Sequence, residues 1–117
     1  MNKRKIGADY EQVAAKYLQE KGYFLLQKNY FTRYSEIDLI AKDREILVFC
    51  EIKYRRNDTF QSPLEAVDSR KQKRVCRAAL IYLCENGYPE DTACRFDVIA
   101  IQDGQKILHL ENAFDYQ

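Results

Sequence analysis

The stretch "SEIDLIAKDREILVFCEIKYRR", residues 35–56, decides the fold. Two apolar runs flank a polar turn, which reads as a pair of antiparallel strands. Glu36, Asp38, Glu51 and Lys53 interrupt those runs at positions where Val or Ile would serve a sheet better. Side chains alternate across a strand, so Glu36, Asp38 and Ile40 share one face of the earlier strand. Leu47, Phe49, Glu51 and Lys53 share one face of the later one. A turn at Asp43-Arg44, or a four-residue loop over 42–45, sets Glu36 opposite Glu51 and Asp38 opposite Phe49. Asp38 then lies one diagonal step from Glu51, and all four charged groups fall on one face. An odd-length loop without a compensating bulge would divide them between faces.

Opposed carboxylates do not stabilise a sheet. At about 5 Å and an effective dielectric near 20 they repel by roughly 3 kcal/mol. A divalent cation reverses that sign. Mg²⁺ takes hard oxygen ligands, commonly one or two carboxylates together with water and phosphate oxygens. Asp38, Glu51 and the backbone carbonyl of Ile52 form such a set, and Lys53 points into the same space. Its ammonium suits charge developing on phosphorus or the orientation of an attacking water. The competing account is an edge hairpin with a solvated polar face, on which Lys53 protects the edge.

Working outward, an apolar stripe at helical spacing, Tyr10, Val13, Ala14, Tyr17 and Leu18, predicts a helix over 6–21 that ends at Gly22. "YFLLQKNYF" (23–31) is a strand and "RNDTFQS" (56–62) a loop. A second helix is expected from an N-cap at Ser62, with Pro63 at its first position, Glu65 completing a capping box, and Asn86-Gly87 as its stop. Its stripe is Leu64, Val67, Val75, Ala78 and Tyr82. Lys71 stands at the centre of that stripe, where an amine needs an anionic partner or an exit to water. Gln72 lies beside it. In the first helix Glu11 aligns with Ala14 and Leu18 and can reach the carboxylate face; a helix-start glutamate favoured by the dipole is the other reading. "CRFDVIAIQ" (94–102) is a strand buried on both faces, joined to "KILHLENAF" (106–114) through Asp103-Gly104. The order α-β-β-β-α-β-β gives an α/β fold, a mixed sheet flanked by helices, in a single domain over 1–117.

Composition narrows the class. Charged residues make up 32 % and apolar ones 46 % of 117 residues, as in globular proteins, and no apolar run is long enough to span a membrane. Cys50, Cys76, Cys84 and Cys94 follow no zinc-ligand spacing. The basic start lacks an apolar signal core, so a cytoplasmic location with reduced thiols is expected. The net charge of +1 divides into +6 over residues 1–77 and −5 over residues 78–117. Basic clusters at Arg55-Arg56 and in "RKQKRVCR" (70–77), with Lys71, Gln72, Lys73 and Arg74, suit a polyanion. A solvated helix face accounts for the same charges. The four glycines are too scattered for a phosphate-cradling loop, and His109 has no nucleophile companion, which makes it structural. Asp97 is expected to pair with a nearby cation.

An acidic residue on the first helix, then Asp, then Glu-x-Lys on a hairpin, then a basic residue on the next helix resembles the PD-(D/E)XK nuclease superfamily. More closely, the chain is similar to the YraN family, which resembles archaeal Holliday-junction resolvases in its core. The likeness runs through "YEQVAAKYLQEKGY", "NYFTRYSEIDLIAKD", "LVFCEIKYR", "PLEAVDSRKQKR" and "RFDVIAI". It implies a restriction-endonuclease-like core, with Asp38 and Glu51 as metal ligands and Lys53 as the catalytic lysine. It also implies Glu11 as the helix-one acid, Lys71 with Gln72 from helix two, and Glu36 within the family's GEID signature, here "SEID". Ser35 and Tyr10 replace family glycines. The resemblance implies Mg²⁺, or Mn²⁺, as cofactor, DNA as substrate, branched or otherwise structured, and a homodimer. Two other functions fit the residues: a binding module that keeps an inactive nuclease fold, and a protein-interaction adaptor.

Overall fold

The computed structural model describes residues 3–55, 67–102 and 106–116, with side chains from Tyr10 onward, that of Arg55 excepted. The element order is α1 (Lys3–Glu20), β1 (Phe24–Phe31), β2 (Glu36–Asp43), β3 (Ile46–Arg55), α2 (Ser69–Glu85), β4 (Cys94–Gln102) and β5 (Lys106–Phe114). The five strands lie in chain order across one sheet, with β3 and β4 parallel and the other pairs antiparallel. A parallel pair needs a long crossover, and α2 supplies it.

The helices cover opposite faces. The stripe Tyr10, Val13, Ala14, Tyr17 and Leu18 packs α1 against Leu39, Ala41, Val48, Cys50, Ile99 and Ile101. Val75, Ala78 and Tyr82 pack α2 against Ile37, Ile40, Leu47, Phe49 and Val98. Burial on both faces explains the unbroken apolar run of β4, whose Phe96–Gln102 are all buried. This is the mixed, helix-flanked α/β sheet that the sequence predicts.

Two local expectations are corrected. The described α2 begins at Ser69, capped by Asp68, whose carboxylate accepts from the Lys71 N–H at 2.9 Å. Ser62, Pro63, Leu64 and Glu65 lie outside the described residues, as does the Asp103-Gly104 turn. The β2–β3 turn is Arg44-Glu45, one residue later than expected, so Phe49 faces Ile40 rather than Asp38. Arg44 takes the left-handed conformation (φ 57°) within this two-residue turn. The register moves by two residues, an even step that preserves faces.

Asp97 is the centre of a buried polar network that ties the layers together. Its carboxylate accepts from Arg95 Nε at 2.9 Å, from the Asn112 N–H at 3.0 Å, and pairs with His109 Nε2 at 2.7 Å. Arg95 reaches on to Asp43 and Tyr23, while His109 Nδ1 meets the Tyr17 hydroxyl at 3.0 Å. Burial pushes the Asp97 pKa up, but His109, Arg95 and the backbone N–H outweigh it and leave it below the ordinary value. Asp97 and His109 are thus structural, as expected.

Candidate metal centre

The β2–β3 ladder runs from Asp43–Ile46 to Leu39–Cys50 and stops, although β2 reaches back to Glu36 and β3 continues to Arg55. Alternation in β2 also slips there. Leu39 and Ala41 join the core under α1, whereas both Ile37 and Ile40 join the core under α2. The slip lies at Asp38. Its Oδ2 accepts from the Ile52 N–H at 2.8 Å and so fills the gap the ladder leaves.

The candidate residues converge on this gap from three sides. Glu11, in the third turn of α1, lies with Glu36 and Asp38 so that one oxygen of each is within 4.8 Å of the others. Because α1 begins at Lys3, the helix-start account of Glu11 fails. Asn29 Nδ2 donates to Glu11 Oε2 at 2.8 Å. Asn29 has φ 52°, a left-handed conformation that Asn tolerates better than most residues. A cavity of about 210 Å³ beside Asp38 is lined by Tyr10, Glu11, Ile52 and Tyr54. A larger one, about 470 Å³, sits elsewhere against Leu80, Leu83, Phe96 and Phe114; it is mainly apolar and away from the carboxylates.

Glu51 approaches from the α2 side. Phe49, two residues before it, belongs to the α2-side core, and Lys71 Nζ lies 3.9 Å from Glu51 Oε2. That contact is at the outer limit of an ion pair, because the ammonium instead donates to Ser35 Oγ at 2.9 Å. Glu51 is 3 % exposed, and its Oε1 has no hydrogen-bond partner among the described residues. The expected single face is therefore corrected: Asp38 opens toward α1 and Glu51 toward α2. They remain close enough for the Asp38 charge to raise the Glu51 pKa. Glu51 is not one of the three clustered acids, and the described contact of Ile52 with the site is its N–H.

The electrostatics follow from this crowding. Burial, then the Asp38 charge, push the Glu51 pKa up to about 8, against the opposing pull of Lys71 and Lys53. Asp38 is raised by burial, which the Ile52 N–H and Lys53 only partly offset. Glu36 is raised by burial and by Asp38 and Glu11. Such a set of acids resists full ionisation on its own. Hard oxygen donors with an unsatisfied buried oxygen among them fit a divalent cation.

Of the expected nucleic-acid contacts, Lys71 is half-buried at the site, and Lys73 and Arg74 are exposed on α2. The Gln72 amide donates to the Val67 carbonyl at 3.0 Å, supporting the start of α2. The side chain of Arg55 and all of Arg56 lie outside the described structure. The sequence reading missed Asn29, although an Asn inside a strand is itself a signal. It also missed that Ser35, in the position of a family glycine, uses its hydroxyl to hold Lys71.

Residues 10–101 match the model described as "Uncharacterised protein family UPF0102". The chain belongs to the UPF0102 family. A UPF0102 protein of Alkaliphilus oremlandii is 48 % identical over 97 % of this chain and 100 % of its own length. One from Lachnoclostridium phytofermentans is 44 % identical, covering 98 % and 97 %. One from Pectobacterium carotovorum is 43 % identical, covering 100 % and 99 %. UPF0102 is the YraN family, of the PD-(D/E)XK-like nuclease superfamily, in keeping with the sheet and the acidic cluster described above. Among the described residues no helix is long and apolar enough to cross a membrane.

Proposed function

We propose that this UPF0102 chain is a metal-dependent endonuclease that hydrolyses DNA phosphodiesters. The observation that carries the reading is the buried Oε1 of Glu51, which has no partner among the described residues and lies within the field of Asp38 and Glu36 of the acidic cluster. A fold has no stability reason to keep such a group. In this reading Asp38 and Glu51 would hold Mg²⁺ or Mn²⁺. The Ile52 N–H fixes the Asp38 carboxylate, and Asn29 fixes Glu11. When bound, the cation neutralises charge on the phosphate and lowers the pKa of a bound water.

The chain's own groups do the remainder. Lys53 lowers the pKa of both Asp38 and Glu51, so its ammonium stands within their field, where it would stabilise negative charge developing on the scissile phosphate. Glu11 and Glu36 orient water at the rim. Lys71, held by Ser35, offers a cation to the phosphate from the α2 side. All four cysteines are free, which suits a reducing cytoplasm.

The test is a panel of labelled DNAs, linear, nicked, flapped and four-way, incubated with Mg²⁺, Mn²⁺ or EDTA. Cleavage with a divalent cation, lost in Glu51→Ala, is the expected result. Equal Mg²⁺-dependent cleavage by a clean preparation of that variant would reject the assignment. Binding without turnover on every substrate would favour the silent binding module.

A further inference from the structure

The tip of the β1–β2 hairpin carries an arrangement that the carboxylate site does not use. Arg33 Cζ lies 4.9 Å, and Arg77 Cζ 5.4 Å, from the centroid of the same Tyr34 ring. Arg33 Nη2 also donates to the Tyr34 hydroxyl at 2.8 Å. Both arginines are exposed, and neither enters an ion pair among the described residues. Two guanidiniums drawn to one ring repel each other. The ring quadrupole attracts each of them but supplies no net charge. A mobile anion that accepts from both completes the arrangement, and phosphate oxygens match the guanidinium fork best.

Position says which phosphate. Tyr34 sits in a tight turn in which Thr32 Oγ1 accepts from the N–H groups of Tyr34 and Ser35, and the Thr32 N–H donates to the Ser35 carbonyl. The next residue along, Ser35, holds Lys71. On α2 the residues Lys71, Arg74 and Arg77 recur every three positions, so they share one face. Rather less than two turns of helix, roughly 9 Å, separate the first from the last. The helix has no acid before Glu85. A line of cations therefore runs from the carboxylates to the Tyr34 ring.

We infer that Arg33 and Arg77, both in contact with the Tyr34 ring, form a clamp for a backbone phosphate flanking the one at the carboxylates, so that the ligand is a polynucleotide strand laid along α2. This rests on the endonuclease reading above for its account of the neighbouring site. It adds the path of that strand: along α2, with a second phosphate held at the tip of the β1–β2 hairpin.

Fluorescence polarisation of a labelled duplex of about 30 base pairs, in EDTA so that nothing is cut, tests it. The dissociation constant is measured against NaCl concentration. Each lost phosphate contact should reduce the slope of log Kd on log salt by about 0.9. Arg33→Gln/Arg77→Gln, which loses the one clamped phosphate, is expected to flatten the slope by about 0.9 and to weaken binding at least tenfold, with unchanged melting temperature. Arg33→Lys/Arg77→Lys should retain most of the slope, and it keeps the test open should the double glutamine variant fold poorly. Arg44→Gln, at the opposite end of β2, should leave both slope and affinity alone. A wild-type slope retained by the double glutamine variant overturns the clamp and leaves the metal-centre reading standing. The expected loss of slope in a protein that cleaves no DNA supports the clamp and overturns the endonuclease. A wild-type chain that retains no DNA at low salt overturns the clamp outright, whatever the cleavage panel returns.

Discussion

Glu51→Gln offers the sharpest physical test of the site, because it can be read without any substrate. The folded-state pKa of Glu51 is about 8, against an ordinary value of 4.5. The native protein therefore holds a proton between these limits that the unfolded chain has released. Folding stability must fall as pH rises through that window. One pH unit is worth about 1.4 kcal/mol, so Glu51 alone costs roughly 3 kcal/mol between about pH 5.5 and pH 7.5. In a domain of this size that is a drop in melting temperature on the order of 10 °C. Asp38 and Glu36 are also raised and add to the slope with the same sign. A glutamine at position 51 cannot titrate and removes one share of it. The assay is thermal unfolding from about pH 5 to pH 8.5, in EDTA and with excess MgCl₂. Wild type in EDTA should melt progressively lower as pH rises, and Glu51→Gln should lie above it at pH 8. Saturating Mg²⁺ should raise the wild-type curve most at the alkaline end, because a ligand bound only by the folded state stabilises it. It should do far less for Glu51→Gln. If the variant keeps the full wild-type slope in EDTA, Glu51 does not carry the buried proton and the electrostatic account of the site is wrong.

Other outcomes follow from single contacts. Lys53→Met should lower DNA cleavage by roughly 10²–10³ while leaving cation-induced stabilisation intact, as for loss of one charge-stabilising donor; product formation and Tm with Mg²⁺, measured side by side, check this. Asn29→Gly accepts the left-handed backbone but deletes the amide that holds Glu11. It should change stability by less than about 1 kcal/mol yet lower cation affinity, which titration calorimetry would read. Asp97→Ala strands Arg95 and His109 and should cost about 3–5 kcal/mol in urea unfolding, as for breaking a buried ion pair. The Asp97 pKa is lowered from 3.8, so its contribution is present above about pH 4 and lost as pH falls below; Asp97→Asn should therefore blunt acid unfolding in that range.

The strands were legible because period-two alternation and turn chemistry are local properties. "CRFDVIAIQ" and "KILHLENAF" coincide with β4 and β5, and the α1 stripe is the surface that packs. The start of α2 was misjudged for a local reason as well. Asp68 and Ser69 follow the Ser-Pro-x-Glu signal by a few residues, and sequence alone does not rank two capping signals so close together. The site failed differently. Strict alternation places Asp38 and Glu51 on one face, and a sheet obeying it would hold their charges about 5 Å apart in a paired ladder. The chain instead ends the ladder at Leu39–Cys50, slips one residue at Asp38, and spends its carboxylate on the Ile52 N–H. Nothing in the identities of residues 36–39 announces that slip, since "EIDL" alternates well. A paired ladder would set both acids opposite one another and penalise ionising them together, and that energy appears only when both strands are in place. The residues that misled the pattern are therefore those that line the gap, and a cation entering it would offset the repulsion between Asp38 and Glu51 once both are ionised. Above about pH 8, where Glu51 ionises, Glu51→Gln in the metal-free protein should weaken the same repulsion by chemistry alone. Hydrogen exchange at the amides of Glu36–Asp38 would then slow in that variant toward the rates of paired strands; unchanged exchange would mean that packing, rather than charge, holds the gap open.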